Sequence, residues 1–447
     1  NEDKSLPMMA SALIDVDSDG IDELFVGGGN NQPDALFQYS NGVFVNVATT
    51  VFTDNKGDDP SLGSASADMD NDGSQDLVIC RTSGVYLYLN KNGTFTGTRL
   101  SIPLNEKSTP VSISLGDVNK DGWLDMFVAG YIKKEQMEGQ TIFNDPNYGA
   151  TSLLMINNGN NTFKDNTSPF GLDYVHNTFQ GVLIDVDGDG WLDLVAAHDT
   201  GEVRTYKNKE GKTFEKIINP TSGKFAYPMG IAAADYNNDG RVDFFFSNTG
   251  SSVPEFMARG DLRKEQEFVK EWILFQNESD FKFLDKARQA KIADFEFSWG
   301  AIFQDFNLDG LQDLAVAENY IDFPPQKAFK LPCRLLLQRD SGRFAAVEEQ
   351  ANAVNRHYAI TPLSTDFNGD GYPDLIYSNL NGPLKVFISV KGPNRYLKIQ
   401  FRKNAESLGA RVAVTLQDRT LTDFLYSGEG FCSDQGGTLT FGLGRRN

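Results

Sequence analysis

The sequence predicts an all-β fold: a seven-bladed β-propeller with calcium-binding hairpin loops, followed by a small C-terminal β domain. Three features point there. One acidic ten-residue stretch occurs seven times, its copies start 53, 49, 68, 50, 70 and 61 residues apart, and each runs into a short apolar segment rich in aromatic and β-branched residues. A period near fifty built from strands reads as radial repetition of one sheet. A chain of 447 residues also exceeds what one ordinary core can hold.

The clearest copy is Asp185-Val-Asp187-Gly-Asp189-Gly190-Trp-Leu-Asp193-Leu194. Position 1 is Asp15, Asp68, Asp117, Asp185, Asp235, Asp305 and Asp366. Position 3 is Asp17, Asp70, Asn119, Asp187, Asn237, Asn307 and Asn368. Position 5 is Asp19, Asp72, Asp121, Asp189, Asp239, Asp309 and Asp370. Position 6 is always Gly, and position 9 is Glu23, Asp76, Asp125, Asp193, Asp243, Asp313 and Asp374. Oxygen donors on alternate residues, then a Gly that lets the backbone turn, suit a hard cation with many oxygen contacts. Up to seven structural Ca²⁺ ions are therefore expected; a shell without His or Cys speaks against zinc or copper. Asp and Gly are also ordinary turn formers, but that reading does not explain four donor positions kept in seven copies. An EF-hand would need a carboxylate at position 12, where the chain has Val26, Ile79, Val128, Ala196, Phe246, Val316 and Tyr377. The loops are thus expected at the tips of β-hairpins.

Each repeat reads as four strands. Small residues lead into the loop, as in Gly230-Ile-Ala-Ala-Ala, where strands converge on an axis. An apolar strand leaves the loop, and an outer hairpin turns at pairs such as Asn41-Gly42 or Asn92-Gly93. The two longest spacings contain insertions, around 131–148 and 251–285. The second includes a helix-like run from Asp261 to Leu274 with Asp261 as N-cap. Arg259-Gly260-Asp261 spells a tripeptide read by adhesion receptors, but a chance Arg-Gly before a capping Asp explains it. The expected boundaries are 1–392 for the propeller and 393–447 for the C-terminal domain, whose segments Tyr396-Leu-Lys-Ile-Gln-Phe and Ala410-Arg-Val-Ala-Val-Thr-Leu read as strands of a separate unit.

The net charge of −20 is mostly ligation: positions 1, 3, 5 and 9 hold 24 carboxylates, and seven divalent ions would bring the charge to about −6. No basic cluster answers phosphates, so nucleic acid is not an expected partner. No apolar run is long enough to span a membrane. Asn1 lies shortly before the first loop, which suggests a mature form after removal of an export signal. The expected location is secreted, periplasmic or at the cell surface. Cys80, Cys333 and Cys432 are too scattered for a disulfide framework and are expected as buried thiols, with one pair open.

Propellers often work at the axial mouth opposite such loops. Counting nine residues before each first Asp and thirteen after reaches the far ends of the first two strands. These positions hold all three histidines, His176, His198 and His357, with Glu296, Glu318, Asp59 and Arg81. Imidazoles and carboxylates around one funnel could bind a metal, a sugar or a peptide, or act as acid and base. Exposed polar strand ends are the plainer explanation. No nucleophile-base order or phosphate loop supports catalysis.

The loops resemble FG-GAP or VCBS repeats, the calcium-loop blades of integrin α-chains. The tail, with Asn394-Arg-Tyr-Leu, Ser407-Leu-Gly-Ala-Arg-Val, Ser427-Gly-Glu-Gly-Phe and Phe441-Gly-Leu-Gly, resembles the ASPIC/UnbV domain. Gly230-Ile-Ala-Ala-Ala-Asp-Tyr-Asn-Asn-Asp-Gly and Trp299-Gly-Ala-Ile-Phe-Gln-Asp-Phe-Asn-Leu-Asp-Gly are similar to the cartilage acidic protein (CRTAC) group, which joins both parts. The resemblance adds the position 7 carbonyls as calcium ligands: Ile21, Ser74, Trp123, Trp191, Arg241, Leu311 and Tyr372. That family's last domain usually continues past Phe-Gly-Leu-Gly, so this one is expected to be incomplete. The expected function is calcium-binding adhesion to a protein or glycan ligand. The alternatives are an extracytoplasmic enzyme, such as a carbohydrate lyase, using the His/Glu mouth, or a pure scaffold.

Overall fold

The computed structural model describes residues 6–445 apart from 30, 56, 138–148, 252–258, 260–261, 321–329 and 340–341. Seven antiparallel sheets repeat along the chain. Blade 1 is β1 (Ser11–Ile14), β2 (Glu23–Val26), β3 (Ala35–Ser40) and β4 (Val43–Asn46). Blade 2 is β5 (Ser61–Ala67), β6 (Asp76–Arg81), β7 (Gly84–Lys91) and β8 (Thr94–Arg99). Blade 3 is β9 (Ser108–Gly116), β10 (Asp125–Ile132), β11 (Leu153–Asn157) and β12 (Phe163–Asp165). Blade 4 is β13 (Thr178–Ile184), β14 (Asp193–His198), β15 (Arg204–Asn208) and β16 (Phe214–Ile217). Blade 5 is β17 (Ile231–Ala234), β18 (Asp243–Phe246), β19 (Ile273–Asn277) and β20 (Phe283–Asp285). Blade 6 is β21 (Ser298–Gln304), β22 (Asp313–Glu318), β23 (Arg334–Arg339) and β24 (Arg343–Ala346). Blade 7 has three strands, β25 (Ala359–Thr365), β26 (Asp374–Asn379) and β27 (Lys385–Phe387).

Every acidic loop joins the first two strands of its blade, as expected. Small residues line the axis because neighbouring strands nearly touch: a Cβ on Gly63 would lie 2.1 Å from the Val111 carbonyl oxygen. The outer turns use the expected residues, with Asn41 and Gly42, and Asn92 and Gly93, all at positive φ. Apolar faces of successive blades pack against one another. Blade 7 closes onto blade 1 through Leu363, Phe367 and Ile376 against Leu13 and Leu24. The three cysteines are buried and free.

Three expectations change. No helix forms over the described part of the 261–274 run: Phe268 bridges Phe225, Trp272 is fully buried, and Ile273 starts β19. The tertiary demand for a third strand in blade 5 overrides the local helical pattern. Gly260 and Asp261 lie outside the described residues. Blade 7 lacks the fourth strand, because after β27 the chain runs on to the C-terminal segment instead of turning back.

The C-terminal segment is also not a separate unit. It pairs β28 (Arg395–Gln400) with β32 (Thr438–Gly444), forms a hairpin of β29 (Arg411–Thr415) and β30 (Thr420–Phe424), and adds β31 (Ser433–Asp434) in parallel to β1. Its apolar side joins the blade 2–3 core through Leu408, Leu421, Leu425, Leu439 and Phe441. A unit this small buries little on its own and gains a core by docking.

Candidate metal centres and the two axial faces

All seven loops share one conformation. Position 4 is left-handed in each (Ser18, Asn71, Lys120, Gly188, Asn238, Leu308 and Gly369), with φ from 57° to 77°, and the Gly at position 6 has φ from 83° to 95°. This double turn aims the Gly N–H at the position 1 carboxylate, at 2.6 to 3.1 Å. Position 9 is buried in every loop. Its carboxylate clamps the turn to the blade: Asp193 accepts the Val186 N–H at 2.8 Å through Oδ2 and the Asn208 N–H at 2.8 Å through Oδ1, and Asp76, Asp125, Asp313 and Asp374 repeat both contacts.

A cation fits these loops. Burial pushes Asp76 and Glu23 up to about 7, Asp125 and Asp193 to about 8, and Asp243 and Asp313 well above the usual carboxylate range. Asp305 rises to about 7, Asp235 and Asp374 to about 6. Each is a buried acid short of positive charge. Asp70 Oδ1 and Asp243 Oδ2 are buried without a hydrogen-bond partner. In the loops of blades 1, 2 and 4, three carboxylates (Asp15, Asp17, Asp19; Asp68, Asp70, Asp76; Asp185, Asp187, Asp193) bring one oxygen each within 4.8 Å of one another. Two loops also hold a side-chain cation on positions 3 and 5: Lys91 contacts Asp70 at 2.6 Å and also Asp72, and Lys207 contacts Asp187 and lies 2.9 Å from Asp189. Carboxylate and amide oxygens with no His or Cys beside them are the donors a hard cation such as calcium takes.

The face that carries these loops is covered by the C-terminal segment. Lys398 pairs with Asp366, Gln400 reaches Asp15 at 3.4 Å, Arg411 donates to the Gly240 carbonyl at 3.0 Å, Arg419 to that of Asp309, and Asn394 to that of Asn307 at 2.8 Å. From there residues 426–434 descend into the axis and meet the first strand of every blade. The Ser11 N–H donates to the Cys432 carbonyl, Ser66 N–H to Asp434 and Ser114 Oγ to the Ser427 carbonyl. Gln180 holds Gly428 and Cys432, Ile231 pairs with Gly430, Phe303 N–H reaches Glu429, and Thr361 meets Ser433. Phe431, fully buried, packs on Phe179 and Trp299 with centroids 5.6 and 5.5 Å away. A buried ion pair anchors the plug: Lys403 Nζ lies 2.5 Å from Asp434 Oδ2 and 2.8 Å from the Gln435 carbonyl, with both side chains fully buried. Only the paired glycines of Gly428-Glu-Gly430-Phe, both at positive φ, hinted at a plug in the sequence.

At the opposite mouth the predicted residues fall into networks on different blades. His176 and His198 do meet, with perpendicular rings 4.9 Å apart. Three of their four ring nitrogens have partners: His176 Nε2 with the Asp199 carbonyl at 2.9 Å, His198 Nδ1 with the Glu202 carbonyl at 3.0 Å and Nε2 with Tyr174 Oη at 2.9 Å. Burial lowers His176 to about 4 and His198 well below the ordinary value. Glu318, raised to about 7 by burial, binds Arg334 at 2.5 Å and accepts the Glu296 N–H at 2.6 Å, while Glu296 accepts Tyr320 Oη at 2.9 Å. Arg81 pairs with Asp34 at 2.6 Å and donates to the Asp59 carbonyl at 2.9 Å. His357, beside blade 7, donates its backbone N–H to Asn355 Oδ1 at 3.1 Å.

Comparison with known proteins agrees with both parts. The FG-GAP-like repeat family matches residues 15–79, 68–128 and 185–246, and the ASPIC and UnbV family matches 400–447. Cartilage acidic protein 1 of Mus musculus is 26% identical over 479 residues, covering 97% of this chain and 68% of that protein. The Xenopus tropicalis protein is 24% identical with the same coverage, and the Homo sapiens protein is 24% identical, covering 97% and 66%. Among solved structures, an Agrocybe aegerita lectin that recognises non-reducing terminal N-acetylglucosamine is 16% identical, with 85% of this chain and 93% of that chain covered and a TM-score of 0.46. From loop geometry, strand order, the matched repeat and tail families and the cartilage acidic protein 1 sequences together, the chain is an FG-GAP-repeat β-propeller with a C-terminal ASPIC/UnbV segment, resembling the cartilage acidic protein 1 family.

Proposed function

We propose that the protein is a secreted, periplasmic or cell-surface calcium-binding propeller that presents its outer surface and open mouth to a protein or glycan. The observation that carries this reading is the filled axis: the plug touches all seven blades, and at the mouth His176, His198, Glu296, Glu318 and Asp59 already bind backbone groups or neighbouring side chains. A ring closed in this way is a rigid platform, not a reaction funnel. Calcium at positions 1, 3, 5, 7 and 9 would hold each hairpin tip, and affinities of about 10⁻⁴ to 10⁻³ M would suit a calcium-rich exterior. No described helix is long and apolar enough to cross a membrane.

The test is calorimetric titration with calcium, together with a survey of glycans and extracellular proteins at millimolar calcium. Several ions per chain and a calcium-dependent partner are expected. Turnover of a polysaccharide that Glu318→Gln or His176→Ala abolishes would replace this reading with the lyase alternative.

A further inference from the structure

The open edge of blade 7 has a shape that the other six blades define. In each of them the fourth strand brings a phenylalanine opposite one fixed position of the third: Phe44 opposite Tyr39, Phe95 opposite Asn90, Phe163 opposite Asn157, Phe214 opposite Asn208, Phe283 opposite Asn277 and Phe344 opposite Gln338. In blade 7 the equivalent position is Ser389, two residues beyond Phe387, which pairs with Leu375. Its N–H binds Asp374 at 2.7 Å, as the Asn90 and Gln338 N–H groups bind Asp76 and Asp313. Among the described residues no strand pairs opposite it.

The vacancy shows on both sides of the sheet. Phe44 of blade 1 packs edge-on to Phe367 at position 2 of the blade 7 loop, and Phe344 of blade 6 approaches Tyr236 at position 2 of the blade 5 loop. Position 2 is buried in six loops, at Val16, Met69, Val118, Val186, Tyr236 and Phe367. In blade 6, where the blade 7 phenylalanine should rest, Phe306 is only partly buried. Toward blade 1, a groove of about 820 Å³ opens between Leu384, Val386 and Ile388 on one side and Phe37, Tyr39 and Phe44 on the other. Ile388 and Val390 are exposed.

We infer that this edge is a docking site for an extended segment of a partner protein, which adds the missing fourth strand to blade 7 and sets an aromatic side chain opposite Ser389, over Phe306. Backbone pairing at a free edge supplies affinity, and alternate side-chain pockets supply specificity. Aliphatic residues beside the aromatic would enter the groove toward blade 1. Lys385, on β27, and Lys391, just past it, favour a segment with acidic flanks. The inference deepens the interaction reading and rests on it only for the existence of a partner.

The probe is a fluorescent peptide copying residues 342–349 of this chain, Gly-Arg-Phe-Ala-Ala-Val-Glu-Glu, titrated by anisotropy against the whole protein in millimolar calcium. Saturable binding is expected, weakened at least tenfold by Phe344→Ser in the peptide and by Ile388→Asp in the protein, whose melting midpoint checks its fold. The peptide control needs no protein variant. No saturation at about 1 mM, or equal binding of both peptides, would overturn the proposal. So would a concentration-dependent dimer that Ile388→Asp dissolves, since a second copy would then hold the edge. Calcium titration and the glycan survey read other sites, so either hypothesis can fail without the other.

Discussion

The two axial faces are built from opposite ends of the same strands, yet they solve the problem of buried charge in different ways. At the loop face acidic side chains recur at the same positions in all seven blades, backbone N–H groups within ten residues or on the adjacent strand hold them, and lysines pair with only some of them. At the mouth the residues at equivalent positions differ from blade to blade, and charges are answered by side chains brought in from elsewhere in the fold, as Arg81 is by Asp34 and Glu318 by Arg334. Repetition marks an acidic site that one segment can encode; variety marks partners that the fold must bring together.

The largest effect that would break this contrast is calcium removal. At ion concentrations about 10 times Kd each loop contributes about 1.4 kcal/mol, so chelation of all the loops is expected to lower the melting midpoint by about 10 °C or more. His176→Ala should give the same shift with and without calcium. A midpoint indifferent to chelator would put the loops in the same class as the mouth.

Next comes the anchor of the plug. Lys403→Ala leaves Asp434 buried without its ammonium partner and is expected to cost about 3–5 kcal/mol in urea unfolding, with proteolytic cleavage appearing in 425–435. Replacing both residues with apolar ones should recover much of the loss. Stability unchanged by the single variant would mean that the plug is not held by this pair.

The smallest effect is one of sign. Folded His176 sits at about 4 and His198 well below 6.5, so the folded state binds fewer protons than the unfolded one. Their contribution is complete above about pH 6.5 and is lost as pH falls toward 4, on the order of 1–3 kcal/mol. In chelator the loops behave oppositely. Asp125 and Asp193 are raised to about 8 from 3.8, so their contribution is complete at about pH 4 and is lost as pH rises to about 8. Thermal melts from pH 4 to 8 should show losses at both ends in chelator, with calcium removing the alkaline one. An alkaline loss that survives calcium would erase the distinction.

How legible each part was follows from the same contrast. The loops, the turn at their Gly and the seven sheets were readable because the acidic positions, the Gly and the following strand lie within about a dozen residues. The counting that put His176 and His198 among the mouth residues relied on the shared length of one blade's first two strands. It could not show that Tyr174 and the Glu202 carbonyl occupy the His198 nitrogens. The helix-like run before β19 misled because local periodicity does not register that blade 5 still needs a strand. Three-strandedness in blade 7 escaped notice because Ser389-Val-Lys-Gly-Pro offers turn residues much like those of the real hairpins.

By itself, then, the order of residues determined the repeat, the donor set of each loop and the strands on either side, since all of these are short-range chemistry. Tertiary structure alone decided that the C-terminal segment seats on the loop face, that residues 426–434 fill the axis, and that one blade keeps an open edge. Those outcomes depend on seven strands meeting at one line and on which surfaces remain to be covered once they have met, a condition no single stretch of the chain contains.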